Sequence, residues 1–246
     1  MIQATHYTDA ACPWAYSASP ALRVLEWRFG DQLEWRLVMI GLREDASGLV
    51  ERGYTPALST LGHMKFRERY GMPFRLAPKE RLSGTGRGCR AVVAARLRAP
   101  GSEGRVLRAL QLAYFTTPLL LDDDEHIRNA LRAVSGIDAD AIVGSLDDAD
   151  VAEAYERDRA ETRSAAGTPA AHIVPELIST VGDDAGKKVP AAVALILKVR
   201  RHPVCGRDWC AVFRQPGKHV KRAPNVIECD KRTHNGQRHS RVGTNR

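Results

Sequence analysis

The chain has 246 residues, of which 43% are hydrophobic and 27% charged, enough to bury a core without disulfides or metal staples. No run approaches the ~18 apolar residues of a membrane span, and residues 1–7 lack the basic head and apolar stretch of a secretory signal, so a cytoplasmic protein is expected. The net charge of +8 is unevenly placed: residues 1–170 carry 22 Lys and Arg against 23 Asp and Glu, and residues 171–246 carry 15 against 6.

Residues 2–8 alternate weakly and predict a short strand. Asp9 to Cys12 form a turn, and Pro13 suits the first position of a helix, where its missing N–H costs nothing. That helix is expected to reach Phe29 on a stripe of Ala18, Leu22, Leu25 and Phe29, with a kink at Pro20. Residues 33–40 alternate and then turn fully apolar, as a buried parallel strand would. A short helix is expected at 60–70. Three helical stripes follow: Cys89, Val92, Val93 and Leu97; then Val106, Leu107, Leu110, Ala113 and Tyr114; then Ile127, Ala130, Leu131 and Val134. A charged helix is expected at about 150–164 and one buried strand at 189–199. Beyond residue 200 neither period is evident, and the polar, basic composition predicts partial disorder. The expected organisation is a β-α-β unit over 1–44, a helical block over 45–166, a return to the sheet over 167–200 and a basic tail over 201–246.

The sharpest chemical feature is Cys12-Pro13-Trp14-Ala15. A cysteine between a strand and a helix N-terminus meets unpaired backbone N–H groups that favour a thiolate. The helix end contributes roughly 0.3–1 kcal/mol, and neighbouring donors add to it, so a nucleophile at neutral pH is expected. A buried structural cysteine is the plainer reading of the same residue.

The stretch 7–16, with the strand 35–40 after it, resembles the DsbA-like thioredoxin-fold family. Residues 88–95, 115–117 and 119–125 add to the likeness, which spans roughly residues 1–170. The resemblance implies an α/β, thioredoxin-like fold with a helical insertion domain, an atypical C-terminal segment, and thiol-dependent chemistry with Cys12 as nucleophile. It implies that Pro13, Trp14 and Ala15 shape the active-site loop, with Trp14 covering the thiol. It also implies a cis-proline facing the cysteine, for which Pro190, after Val189, is the first candidate and Pro169 the second. Asp9 could relay protons or simply cap the turn.

Redox members of the family carry a second cysteine where this chain has Ala15. Completing disulfide transfer needs a thiol that resolves the mixed disulfide. Cys12 could work as a monothiol with glutathione, be resolved by Cys89 or a tail cysteine, or serve with bound glutathione in an isomerase or transferase of the 2-hydroxychromene-2-carboxylate isomerase or kappa-class type. A non-catalytic binding module is the reading from another class. No tightly bound cofactor is expected, and glutathione is the small molecule implied. Protein thiols and disulfides, or a small-molecule thiol, are the expected partners; membrane and nucleic acid are not. Residues 83–88 resemble a phosphate loop superficially and read as a flexible turn, with Arg87 and Arg90 available to an anion. The acidic run 122–125 reads as a helix cap. His202, Cys205, Cys210 and His219 have gaps that fit no common zinc site, and no metal is expected.

Overall fold

The computed structural model describes residues 2–163 and the strands at 181–182, 188–189, 195–199 and 209–213, with side chains described for 4–163. All of these lie in one compact unit, residues 1–215.

Strand β1 (Ile2–Thr8) leads into helix α1 (Pro13–Phe29), a short 3-10 turn at Gly30–Gln32 and strand β2 (Leu33–Met39). β1 and β2 are parallel, in register from Ile2 opposite Leu33 to Thr8 opposite Met39. Pro20 sits inside α1 without ending it. It can donate no hydrogen bond to the Tyr16 carbonyl, and Ser19 Oγ donates to that carbonyl at 2.8 Å instead. The expected apolar stripe is only partly buried. Ala15, Tyr16, Ser17 and Leu22 are covered, whereas Phe29 is exposed, so α1 is anchored by its N-terminal half.

The helical block follows: α2 (Ser47–Glu51), α3 (Pro56–Tyr70), α4 (Gly86–Arg98), α5 (Glu103–Thr116), α6 (Asp124–Leu131), α7 (Ala139–Gly144) and α8 (Ala149–Arg163). Helix α3 begins four residues earlier than expected, because Thr55 caps it, accepting from Leu58 N, and Pro56 opens it. Asp123 caps α6 as its acidic run predicts, accepting from His126 N at 2.9 Å. Helix α4 is the centre of the block. Cys89 and Ala91 to Ala95 are fully buried, and these small side chains let α5, α7 and α8 pack closely. Leu97, placed on the same stripe by its spacing, is exposed near the helix end.

After the helical block come β3 (Val181–Gly182), β4 (Lys188–Val189), β5 (Leu195–Val199) and β6 (Trp209–Phe213). β5 lies antiparallel on β1, and β6 antiparallel on β5, giving the order β2-β1-β5-β6; β3 and β4 form a separate pair. Two expectations are corrected here. The single strand at 189–199 is two strands in different sheets, with Val189 in β4 paired to Val181. The tail assigned to 201–246 contains a sheet strand, β6. Its five residues Trp-Cys-Ala-Val-Phe are a continuous apolar run too short to show a period. The expected parallel β-α-β unit is present, and along β2 Glu34 and Arg36 alternate outward against half-buried Leu33, Trp35 and Leu37, because successive strand residues point to opposite faces.

The glycines of 83–88 do not form a flexible turn. Ser83 and Thr85 are buried, and Thr85 N and Gly86 N donate to the Arg43 carbonyl at 2.7 and 3.0 Å. A Cβ on Gly84 would fall against the Glu44 carbonyl oxygen and 2.7 Å from Asp45 Cα, which are backbone atoms that cannot swing aside. Gly84→Ala is therefore expected to destabilise the fold by roughly 1–3 kcal/mol, the range for overpacking. Urea unfolding checks this; a loss under 0.5 kcal/mol would show that the 43–45 loop yields freely.

Candidate active site

Cys12 is the N-cap of α1, with extended backbone (φ −82°, ψ 114°), and Pro13 opens the helix. The backbone N–H groups of Ala15 and Trp14 hydrogen-bond the sulfur, and the Arg43 charge also favours its thiolate. These are the stabilising groups that the helix-terminus argument anticipates. The outcome is nevertheless the opposite of the expected one. The residue is only 4% exposed, and burial, together with the nearby Asp9 charge, outweighs those donors and pushes the Cys12 thiol up to about 11.

The loop is held from below by Asp9, which is fully buried. Its Oδ1 accepts from Ala11 N at 2.8 Å, an Asx-type turn. Its Oδ2 accepts from Leu42 N at 2.9 Å, Thr85 Oγ1 at 3.0 Å and Cys89 Sγ at 3.4 Å. The carboxylate thus ties β1, the loop after β2 and the start of α4 to the cysteine turn. Gln111 Nε2 on α5 adds a bond to the Asp9 carbonyl at 3.2 Å. Every described contact of Asp9 belongs to this tether. Cys89 is a core thiol, a hydrogen-bond donor to Asp9, pushed well above the ordinary range by burial and by that neighbour.

Trp14 is 39% exposed, and its ring packs edge-on against Phe66 at 4.7 Å and Tyr70 at 6.0 Å, so the contacts that hold it belong to α3. Ala15 is buried. Pro169 and Pro190 lie outside the described residues, as does the side chain of Val189. Arg87 and Arg90 are not available to an anion. Arg87 pairs with Asp124 and Asp147, and Arg90 with Glu44.

A cavity of about 240 Å³ opens beside the loop, with Ala11 and Pro13 in its wall. Arg43, Arg75, Lys79, Arg81 and His63 line it, with no carboxylate among the lining residues. Arg81 is paired with Asp122 at 2.7 Å, and Lys79 donates to the carbonyls of Thr117 and Leu119 at 2.9 and 2.6 Å. Arg43 and Arg75 form no ion pair among the described residues, and Arg43 Nε, Arg75 Nε and Ser83 Oγ are buried without a hydrogen-bond partner. Unpaired guanidinium groups in a concave wall are the donors that bind carboxylates and other oxyanions. Sequence reasoning missed this cluster because its members are scattered over 43–83 and converge only through the loop and α3.

Among the described residues no helix is long and apolar enough to cross a membrane. No curated protein matches the sequence. The fold is similar to several solved structures. One, from Nitrosomonas europaea, carries a provisional protein disulfide isomerase designation (TM-score 0.61, 14% identity, 87% of this chain and 91% of that one). Another is the cytosolic disulfide reductase DsbM from Pseudomonas aeruginosa (TM-score 0.55, 15% identity, 85% and 88%). A third, from Streptomyces coelicolor, has a provisional DsbA oxidoreductase designation (TM-score 0.56, 18% identity, 80% of each chain). The DSBA-like thioredoxin domain matches residues 4–187, somewhat further than the residues 1–170 over which the motifs resemble it. With the parallel β-α-β unit, the helical insertion and the antiparallel β5–β6 pair in one sheet, the chain belongs to the DsbA-like thioredoxin-fold family.

Proposed function

We propose that the chain is a cytoplasmic thiol-disulfide oxidoreductase that works through the single thiol of Cys12, with glutathione as its exchanging partner. The observation that carries this reading is the cavity beside Cys12, whose two unpaired arginines suit the carboxylates of a small anionic disulfide. The DsbM reductase has also been solved with glutathione, which supports the choice of partner. Ala15 removes the resolving thiol, so resolution comes from a second glutathione. The Cys12 thiolate attacks a mixed disulfide of glutathione and a substrate thiol. The Cys12–glutathione disulfide forms, and the substrate leaves as its thiolate. A second glutathione thiolate then attacks the Cys12-linked glutathione, releasing glutathione disulfide and restoring Cys12. Over the cycle one glutathione thiol is oxidised, joining the glutathione half of the mixed disulfide as glutathione disulfide, and the substrate half is reduced to its thiol. Pro190 and Val189 remain the proposed backbone for substrate pairing, with Pro169 as second choice.

Because exchange runs on the thiolate, its rate is expected to rise about tenfold per pH unit from pH 7 towards 10. The test is single-turnover reaction of the full chain with glutathione disulfide, read as a mass increase of one glutathione. Cys12→Ser should abolish it. Arg43→Met and Arg75→Met should each raise the concentration needed by about tenfold, and leave reaction with neutral hydroxyethyl disulfide much less affected. Equal sensitivity to the neutral disulfide would remove the case for an anion site.

The raised thiol also favours a second reading, a binding module that keeps the fold and holds an anionic thiol without exchanging it. In that case glutathione would bind, Arg43→Met would weaken it, and no mixed disulfide would form even at pH 10. A glutathione-dependent isomerase or transferase would use the same cavity and would return glutathione unoxidised or attached to a carbon atom of the substrate.

A further inference from the structure

Lys79 is the one primary amine among the residues that line the cavity beside Cys12, and the proposed exchange makes no use of it. The side chain is half-buried. Its Nζ donates to the carbonyls of Thr117 and Leu119, past the end of α5, and lies 4.5 Å from the centre of the Tyr114 ring. A second cavity, of about 170 Å³ between α1, β1, β2 and α5, has charges of both signs in its wall, Glu26 and Glu103 among them. The wall that holds Lys79 has cations alone.

This setting suits the neutral amine better than the ammonium. An ammonium has three hydrogens to place, whereas a neutral amine has two and a lone pair. The two carbonyls take two hydrogens, and among the described residues no third oxygen or nitrogen accepts from Nζ. The neutral amine is therefore fully bonded with its lone pair left over. Electrostatics act in the same direction. Burial, and then the Arg75 charge, lower Lys79 to about 8. A lysine desolvated beside another cation is an activated nucleophile. Arg81 is already met by Asp122, so Arg43 and Arg75 are the cations left to hold an anion next to the amine. Because the Arg75 charge reaches Lys79 directly, the anion's carboxylate and its electrophilic carbon must be neighbours, as they are in a 2-oxo acid.

We infer that Lys79 is a nucleophile that condenses with a short 2-oxo acid held by Arg75 and Arg43. The Nζ lone pair attacks the carbonyl carbon and a C–N bond forms. The carbonyl oxygen leaves as water with the two amine hydrogens, giving an imine. A proton from solvent on the imine nitrogen restores one N–H to a backbone carbonyl. The step consumes no oxidant or reductant. It shares the two arginines with the exchange reaction and does not use the Cys12 thiol.

Glyoxylate with cyanoborohydride, which reduces an imine to a stable secondary amine, tests this on the full chain at pH 7.5 by peptide mass mapping. Exposed Lys65 on α3 is the internal reference. Lys79 should be labelled about tenfold faster than Lys65. With acetaldehyde, which lacks the carboxylate, that preference should shrink about fivefold, and Arg75→Met should shrink it as much for glyoxylate. If Arg75→Met does not fold, Arg43→Met replaces it. Lys79 labelled no faster than Lys65, or a preference that acetaldehyde shares in full, would overturn the inference and leave Lys79 as a cap on the end of α5. A preference unmoved by the arginine variant would overturn it equally. Glutathionylation of Cys12 is measured on the same preparation. Lys79 labelling without it counts against the exchange reaction alone, and glutathionylation without Lys79 labelling counts against this inference alone.

Discussion

Asp9→Ala is expected to cost roughly 3–5 kcal/mol of stability, a large share of the 5–15 kcal/mol typical of a folded domain. The carboxylate accepts from two backbone N–H groups, buried Ala11 and part-buried Leu42, and from the buried Thr85 hydroxyl. Alanine leaves the two N–H groups without a partner, and each orphan costs about 1–3 kcal/mol, whereas the Thr85 hydroxyl keeps the Arg43 carbonyl at 3.1 Å. Asp9→Asn is milder for shape but wrong for hydrogen bonding, because its NH2 group must face at least one donor that the carboxylate satisfied. That variant carries a second expectation. Removing the Asp9 charge takes away one of the terms that raise the Cys12 thiol, so the pH profile of Cys12 alkylation should move to lower pH. Urea unfolding with an unchanged m-value measures the first effect, and iodoacetamide modification from pH 7 to 11 the second. A loss under 1 kcal/mol for Asp9→Ala would show that the loop finds other acceptors. An unmoved alkylation profile in Asp9→Asn would show that burial alone sets the thiol.

The same residue shows what could be read from the sequence and what could not. Strand, cysteine turn, proline and helix are local, and each was legible from spacing and turn chemistry. The helical stripes were legible for the same reason, and Leu97 failed only because α4 ends there and exposes it. Long-range partners were not. Nothing in the order of residues says that Thr85 and Cys89 close on Asp9, 76 and 80 positions away. Nor does the helix-end argument reveal how deeply Cys12 is covered, and depth of burial decides the direction of its titration. Of the C-terminal strands, β5 falls inside the strand expected at 189–199, whereas β6 was missed for a different reason. β6 has only five residues, and the pairing of β5 with β1 and of β6 with β5 is a choice that a short apolar run cannot announce. The two cavities were equally hidden, since the wall of each gathers residues from four helices or strands and the loops between them.

Stability should fall between pH 6.5 and pH 4 by roughly 4–6 kcal/mol from two histidines alone. His6, on β1, is lowered to about 4 by burial and by the Arg23 charge. His63, on α3, is lowered to about 4 by burial and by the charges of Lys79 and Arg43. In the unfolded chain both return to about 6.5. Above pH 6.5 both are neutral in either state and cost nothing. Below it, the unfolded chain takes up protons that the folded chain refuses, so unfolding is favoured progressively as pH drops towards 4. Below pH 4 the folded chain is protonated too, and these two groups add no further slope. The direction is opposite to that of a histidine stabilised by a carboxylate, which would gain stability on acidification. His63 can be tested with little disturbance to packing, because its ring lies 5.4 Å from both Phe74 and Phe115. His63→Phe keeps an aromatic ring there and removes the titration. Urea unfolding at pH 7.5 and pH 5 should show the parent losing clearly more stability than the variant, by about 1.5–2 kcal/mol. Below about pH 4.5 the carboxylates that the folded chain holds low, Glu161 beside Arg36 among them, begin to take up protons in the unfolded chain and add their own slope, so the comparison belongs above that value. Equal losses in parent and variant would mean that His63 takes up its proton in the folded chain, and that the cavity beside Cys12 admits water to it.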